Sequence, residues 1–189
     1  MDLTALLQTL IFGLALGGVI SVSAVGLTLS YGVTRFINFA YGEFLTLGAY
    51  GAMALAGLGL ALPLATAASV LLTGAIGVVV ARLFYDPLMH RGLLPLLVTS
   101  VGVAFVLHNG VRMLAGANPV RFPVPLLRPW SVGELFVPKE QVLTILVALA
   151  AMLLVHLLLS TTLLGKKMRA VSDNPQLARA AGGDEVGEV

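Results

Sequence analysis

The sequence predicts an all-α fold, a polytopic bundle of transmembrane helices. Of the 189 residues, 58% are hydrophobic and only 11% are charged, whereas soluble domains carry about 25% charged residues. No Asp, Glu, Lys or Arg occurs in four long runs, 3–34, 44–81, 92–111 and 141–165. A helical span needs about 20 apolar residues, and the run 44–81 is long enough for two spans. We therefore expect about five spans and a short cytoplasmic helix in one membrane domain, 1–189.

The spans are expected at residues 5–30, 43–59, 63–84, 93–114 and 141–164. The first run is not a signal peptide, because it lacks a basic start and exceeds a hydrophobic region of about 7–15 residues. Glycines and a proline in 57–63 predict a tight hairpin between the second and third spans. Residues 85–92 form the next connection, and the proline-rich stretch 116–140 is the long connection before the last span.

The positions of Lys and Arg predict the orientation. With a cytoplasmic tail, seven of the eleven face inward: Arg35, Arg82, Arg91, Lys166, Lys167, Arg169 and Arg179. The remaining four face outward: Arg112, Arg121, Arg128 and Lys139. Because cytoplasmic loops carry the excess of positive residues, we expect an external N-terminus and a cytoplasmic segment 165–189. The predicted location is the cytoplasmic (inner) membrane.

Two spans carry small residues at four-residue spacing, which favours close helix packing in lipid. The first set is Gly13, Gly17 and Ser21, and the second is Gly48, Ala52 and Ala56. Glycine is also common in membrane helices in general, so this pattern leaves both readings open.

No catalytic pattern is present in the sequence. It contains no H-E-x-x-H, G-x-S-x-G or P-loop motif, and it has no cysteine. We therefore expect no enzyme activity, cofactor or metal site in this chain. The histidines are scattered, and His108 and His156 fall inside predicted spans. Polar residues at such depth usually face the bundle interior, so we expect each to bond a neighbouring helix.

The tail 165–189 carries the signals of one short helix. Asp173 and Asn174 suit a helix cap, Pro175 suits the first helical position, and Gly182 or Gly183 would end the helix. About seven residues give roughly 10 Å of helix, which is unstable alone in water. We expect this helix to dock on a partner; the alternative is a fraying juxtamembrane tail.

Three stretches carry a resemblance to a known family: "GLTLSYGVTRFINFAYGEFLTLGAY" (26–50), "LLVTSVGVAFVLHNGVRMLAGANPVRFP" (96–123) and "GKKMRAVSDNPQLARAAG" (165–182). Together they resemble the membrane permeases of branched-chain amino-acid ABC importers. The first stretch is the most specific. The resemblance implies a second permease subunit, two ATPase subunits that supply the energy, and a substrate-binding protein at the outer face. It implies no nucleic acid partner.

The resemblance also implies two sets of functional residues. Those near the translocation path are Asn38, Phe39, Ala40, Gly42, Glu43 and Phe44. Those that contact the ATPase are Asp173, Pro175, Ala178, Ala181 and Gly182. We expect Asn38 and Glu43 to position a helix break beside the path. The family often has histidine at Tyr41 and a branched apolar residue at Gly183, and its members continue with further spans, so this chain resembles their N-terminal part.

Other functions stay open at this stage. Close relatives within the same permease group import urea or short amides, and the motif does not separate these substrates from leucine, isoleucine or valine. The chain could also be a membrane assembly subunit that transports nothing itself. A secondary transporter or an intramembrane enzyme fits less well, because Glu43 is the one carboxylate within the predicted spans.

Overall fold

The computed structural model of the protein describes residues 3–116, 130–132, 135–163, 165–166 and 169. The helices and strands, in chain order, are α1 Leu3–Thr34, α2 Tyr41–Gly57, α3 Leu62–Val80, α4 Leu93–Ala115, β1 Trp130–Val132, β2 Leu135–Val137 and α5 Lys139–Thr161. These residues fall into two compact units. Unit 1 lies within Met1–Arg35 and Leu126–Val189, and unit 2 lies within Phe36–Pro125.

The described helices confirm the predicted helical membrane protein. Four stretches are long and apolar enough to cross a membrane: Thr4–Gly32, Leu62–Arg91, Leu93–Ala115 and Lys139–Thr161. Helix α2 has 17 residues, or about 25 Å at 1.5 Å per residue, which is the lower end of the length that spans a bilayer. Two strands of three residues each, β1 and β2, accompany the helices, and the fold class remains all-α as predicted.

Unit 1 is built on the packing of α1 against α5. The two helices meet closely at Gly18, where a β-carbon would lie 3.0 Å from Ala148 Cβ. Ala148 is buried, and so is Ala15, one helical turn before Gly18 in α1. Strand β1 pairs antiparallel with β2, with Trp130 opposite Val137. Small residues therefore let these two helices approach each other, as expected for helices in lipid.

The residues that make this approach in α1 differ from those expected. Among the described residues, nothing lies within 4 Å of a β-carbon built on Gly13 or Gly17. Gly18, which lies next to that expected set, faces α5 instead. One residue is 100° of helix rotation, so the small-residue spacing indicates a packing helix without showing which face packs.

Unit 2 contains α2, α3 and α4, and its α2–α3 pair is an antiparallel hairpin. Helix α2 ends at Gly57, Gly59 adopts a φ of +94° in the turn, and Pro63 lies in the first turn of α3. This confirms the predicted tight connection, since glycine takes a positive φ without a steric penalty.

The α2–α3 register follows from three contacts at small residues. β-Carbons built on Gly48 and Gly51 would lie 3.6 Å from Thr73 Oγ1 and 2.6 Å from Ser69 Oγ, respectively. Ser69 Oγ also donates a 2.6 Å hydrogen bond to the Gly48 carbonyl. Ala52 is buried one turn beyond Gly48. The small-residue face predicted for α2 therefore packs closely on α3, as expected.

The connection between α3 and α4 is more helical than predicted. The predicted third span ends in a π turn, Ala81–Tyr85, and most of the expected loop 85–92 continues it as a 3-10 turn, Asp86–Arg91. The reversal occurs at Gly92, whose φ is +99°. Pro87 has no N–H and its ring opposes an ordinary α-helical turn, so the backbone changes its hydrogen-bond pattern around it without ending the helix.

Candidate functional site

The segment between α1 and α2 is a break in the helical structure. Helix α1 ends at Thr34, and Arg35 takes a left-handed conformation with φ 58°. Its amide still donates to the Tyr31 carbonyl at 2.8 Å. A left-handed residue just after a helix is a common way to end it, although glycine usually occupies that position. The chain is then non-helical until Tyr41 begins α2.

Asn38 shapes the entry into α2. Its side-chain Oδ1 accepts the Ala40 amide at 3.0 Å, which makes an Asx turn. Its carbonyl accepts the Tyr41 amide at 3.1 Å, and the Ala40 carbonyl accepts the Glu43 amide at 3.0 Å. Ala40 itself offers no side-chain cap to the helix. Asn38 therefore supplies the polar contact that turns the chain into α2.

Two side chains from other parts of unit 2 hold this break in place. Tyr85 Oη donates to Asn38 Oδ1 at 3.1 Å. The Phe39 amide donates to Ser100 Oγ at 3.3 Å, and Ser100 Oγ donates to the Leu97 carbonyl at 2.8 Å. Ser100 is fully buried. Each buried polar group of the network thus has a partner, which an apolar core requires.

An apolar cluster surrounds this network. Phe36 packs edge-on against Tyr85, with ring centroids 5.3 Å apart and an interplanar angle of 71°, the T-shaped arrangement that aromatic pairs favour. The cluster consists of Phe36, Ala40, Val80, Tyr85, Leu96 and Val103. The non-helical segment is therefore anchored in unit 2 by two buried side chains, Phe36 and Ala40, while Ile37 and Phe39 are exposed.

The π turn Ala81–Tyr85 places Tyr85 for these contacts. Such turns insert one extra residue in the helical repeat, rotate the following side chains and occur frequently at functional sites. Tyr85 is the last residue of the turn and is almost fully buried. The altered turn thus carries the one side chain from the α3–α4 connection that bonds Asn38.

Glu43, in the first turn of α2, meets His108 of α4. Its Oε2 lies 3.3 Å from His108 Nδ1. Because an ionised carboxylate can only accept, this contact requires the proton on Nδ1. The side chain of Glu43 is 24% exposed and that of His108 is 47% exposed. The expected bond from His108 to a neighbouring helix is therefore present; the second spanning histidine, His156, is exposed within unit 1.

Contacts with α3 and α4 place the beginning of α2 near the middle of these neighbouring spans. A β-carbon on Gly77 would lie 3.9 Å from Phe44 Cε1, and Gly77 falls about midway along the helical stretch Leu62–Arg91. His108, the partner of Glu43, lies about 6 Å beyond the midpoint of α4 at 1.5 Å per residue. The break is thus within the helical layer of unit 2, away from its ends.

The structure separates the expected path residues into two groups. Asn38, Ala40 and Phe44 pack into unit 2 or against its cluster. Phe39 is 56% exposed, and a β-carbon on Gly42 would meet nothing within 4 Å among the described residues. Glu43 is joined to His108. The expected ATPase-contacting residues, Asp173, Pro175, Ala178, Ala181 and Gly182, lie outside the described residues.

Sequence reasoning missed Tyr85 and Ser100. Tyr85 lies in a polar stretch that resembles a loop, and Ser100 lies in an apolar run, so a tyrosine next to Asp86-Pro87 and a serine among apolar residues were the available signals. In the described part of the chain, no three His, Cys, Asp or Glu side chains come together as metal ligands. The site therefore offers hydrogen bonds and one ionisable pair across the helices.

Comparison with known proteins identifies relatives of this chain. Residues 9–186 match the family model described as branched-chain amino acid transport system / permease component. The chain is 30% identical over 190 residues to the high-affinity branched-chain amino acid transport system permease protein BraD of Pseudomonas aeruginosa. It is 27% identical over 190 residues to the corresponding permease proteins LivH of Salmonella typhimurium and Escherichia coli K12.

Each of these alignments covers 93% of this chain and 62% of the relative, so the chain spans less than two thirds of the length of these relatives. No solved structure matches it. The family match includes all five described helices except the first turns of α1. By this match, the chain belongs to the family of branched-chain amino acid transport system permease components.

Proposed function

We propose that this chain is a permease subunit of an ABC importer that moves branched-chain amino acids across the cytoplasmic membrane. The family match over residues 9–186 is the observation that carries this proposal. The membrane-capable helices support it, because a permease needs several spans around a path. ATP hydrolysis on separate subunits drives the transport, and this chain rearranges its helices in response.

The path passes the break between α1 and α2. Its residues are Asn38, Phe39, Ala40, Gly42, Glu43 and Phe44. Non-helical backbone at membrane depth is tolerated where it is buried in protein or lines a cavity, and transporters bind substrates at broken helices near the midplane. The partly buried Asx turn at Asn38 and the contact of Glu43 with His108, inside the span α4, support this placement.

The partners are two ATPase subunits, a second permease subunit and a substrate-binding protein at the outer face. The proposed orientation has the N-terminus outside and residues 165–189 in the cytoplasm. There the ATPase contacts Asp173, Pro175, Ala178, Ala181 and Gly182. The cap and stop signals of this segment and the inward excess of Lys and Arg support the assignment.

Leucine uptake by the complete importer in proteoliposomes tests the path assignment. We expect Asn38→Ala and Glu43→Ala each to slow uptake about tenfold or more, a change of about 1.4 kcal/mol in the barrier. Thr66→Ala is the control, since this exposed threonine bonds the Pro63 carbonyl in its own helix. Uptake that stays at the wild-type rate in both variants would contradict the assignment.

Competition defines the substrate. Unlabelled leucine, isoleucine and valine should each block uptake, while urea and acetamide should not. Uptake of urea in place of leucine would show that the amide reading is correct. An assembled complex that moves none of these solutes would indicate a structural subunit.

The coupling segment has a separate test. Asp173→Ala with Pro175→Ala should lower ATP hydrolysis in the assembled importer, because the helix loses its cap and its preorganised first turn. Membrane insertion should not change. Asp184→Ala is the control, since it lies beyond the expected helix. ATPase activity equal to that of the control would overturn this assignment.

A further inference from the structure

Helix α4 has two chemically different faces. One face is buried in unit 2 and includes Leu96, Ser100, Val103 and Val111. The residues 105, 108, 109 and 112 follow the spacing i, i+3, i+4, i+7, which defines one helix face. These are Phe105, His108, Asn109 and Arg112, and all four are exposed. A spanning helix therefore carries three polar side chains on an exposed face, where Glu43 of α2 contacts His108 among the described residues.

Hydrocarbon is a poor neighbour for this face. Ionisable residues within spans face a bundle interior or a water-filled cavity, because their cost in lipid is several kcal/mol. Asn109 Nδ2 donates a 2.7 Å hydrogen bond to the Phe105 carbonyl. This bond uses only one of the hydrogen-bonding positions of the side-chain amide. Glu43 adds a carboxylate to the same face through His108, near the middle of the span. The face therefore fits a water-accessible site.

Two opposite charges lie along this face. The His108–Glu43 contact is 3.3 Å, and no ion pair joins Glu43 to Arg112 among the described residues. Arg112 is four residues beyond His108 on the same face, about 6 Å along the helix axis. The face thus presents a carboxylate bonded to His108 and, one helical turn from His108 along α4, a guanidinium. An α-amino acid carries an ammonium group next to a carboxylate. Its ammonium complements the carboxylate of Glu43, and its carboxylate complements the guanidinium of Arg112.

We propose that Glu43 and Arg112 form a binding site for the zwitterionic end of an amino acid in the translocation path. Glu43 binds the ammonium group, and Arg112 binds the carboxylate in the bidentate geometry that a guanidinium favours. His108 is a positioning residue that holds the Glu43 carboxylate toward α4. The side chain of Phe105, 65% exposed and one turn before His108, offers an apolar neighbour. This inference rests on the proposed transport function.

A single introduced thiol can test this site, because the chain has no cysteine. Phe105→Cys places the thiol on the proposed face of α4. In the complete importer in liposomes, a water-soluble thiol reagent should label it, and added leucine should slow the labelling. The probes 3-methylbutylamine and 4-methylpentanoate each lack one of the two charges. Each should therefore need about ten times the concentration of leucine, given the strength of charged hydrogen bonds.

Charge variants in this background assign the two groups. Glu43→Gln and Arg112→Gln should each raise the leucine concentration for half-maximal protection about tenfold. In Arg112→Gln, leucine and 3-methylbutylamine should protect the thiol at equal concentrations, since the site no longer binds the carboxylate that only leucine carries. Arg91→Gln and His90→Gln are matched controls from the 3-10 turn and should behave as the parent. Glu43→Asp and Arg112→Lys keep the charges and should recover part of the protection.

His108→Gln distinguishes positioning from binding. It should weaken protection by leucine and by 3-methylbutylamine equally, while protection by 4-methylpentanoate stays unchanged, because only the ammonium side is affected. If the face meets lipid or protein, the thiol will stay unlabelled. If Arg112 only anchors α4 at the membrane interface, Arg112→Gln will leave the leucine concentration for half-maximal protection unchanged. Either result overturns the proposed site. Leucine uptake by the wild-type importer, measured in parallel, separates this failure from failure of the proposed function.

Discussion

Replacing Tyr85 by phenylalanine removes one oxygen from the network that holds the helix break. The lost contact is the 3.1 Å bond from Tyr85 Oη to Asn38 Oδ1. Asn38 keeps the Ala40 amide as its second donor, so no polar group is left without a partner. The edge-on packing against Phe36 also remains, since it involves the ring alone. Interhelical hydrogen bonds in membrane proteins contribute about 0.6 kcal/mol on average and about 1.7 kcal/mol at most. We expect Tyr85→Phe to destabilise the protein by about 1 kcal/mol.

Tyr85→Ala should cost far more. It removes an almost fully buried ring, and such aromatic deletions cost about 3–5 kcal/mol because a cavity remains. Reversible unfolding in mixed micelles, driven by an increasing fraction of denaturing detergent, measures both variants. A double-mutant cycle with Asn38→Ala isolates the hydrogen bond. In the Asn38→Ala background, Tyr85→Phe should have almost no effect. A cost equal to that in the wild-type background would refute the reasoning, because the tyrosine oxygen would then act through another group.

Two further predictions concern close packing and buried polarity, each measured by the same unfolding assay. Gly51→Ala should destabilise the α2–α3 pair by about 1 kcal/mol, because its β-carbon would lie 2.6 Å from Ser69 Oγ and must displace a bonded hydroxyl. Gly13→Ala, which enters open space in α1, should be neutral or stabilising, and equal costs for the two would contradict the packing. Ser100→Ala should cost about 1 kcal/mol, since it leaves the partly buried Phe39 amide without its acceptor. Ser160→Ala, an exposed helical serine, should change stability little.

The spans could be predicted from the sequence because charge is excluded from hydrocarbon over a fixed thickness. The uncharged runs 3–34, 92–111 and 141–165 each contain most of one long helix of the structure. The ends of helices were less accurate, as at the connection after α3. There Asp86, Pro87 and Arg91 resemble a loop in composition, yet they continue the helix in altered turns. Local backbone geometry around a proline depends on what packs against it, and composition carries little of that information.

The candidate site was only partly visible in the sequence. The polar and glycine-containing stretch from Asn38 to Phe44 was conspicuous between apolar spans. The non-helical segment 35–40 overlaps only its beginning, and Glu43 lies inside α2. The residues that hold it, Tyr85 and Ser100, are 47 and 62 positions away from Asn38 along the chain, by their numbering. The sequence pattern of one segment does not identify the residues, distant along the chain, that contact it in the fold. The role of the stretch in a transport path stays a prediction.

The sequence by itself determined that this is a multi-span helical membrane protein with a polar break before its second span. The physical reason is that burial in lipid limits composition, and composition is a property of the chain alone. Only the tertiary structure decided that Glu43 meets His108 and that α4 carries a polar face on the side opposite its packing face. Such pairings depend on helix rotation and on the register between helices, and one residue of shift rotates a side chain by 100°.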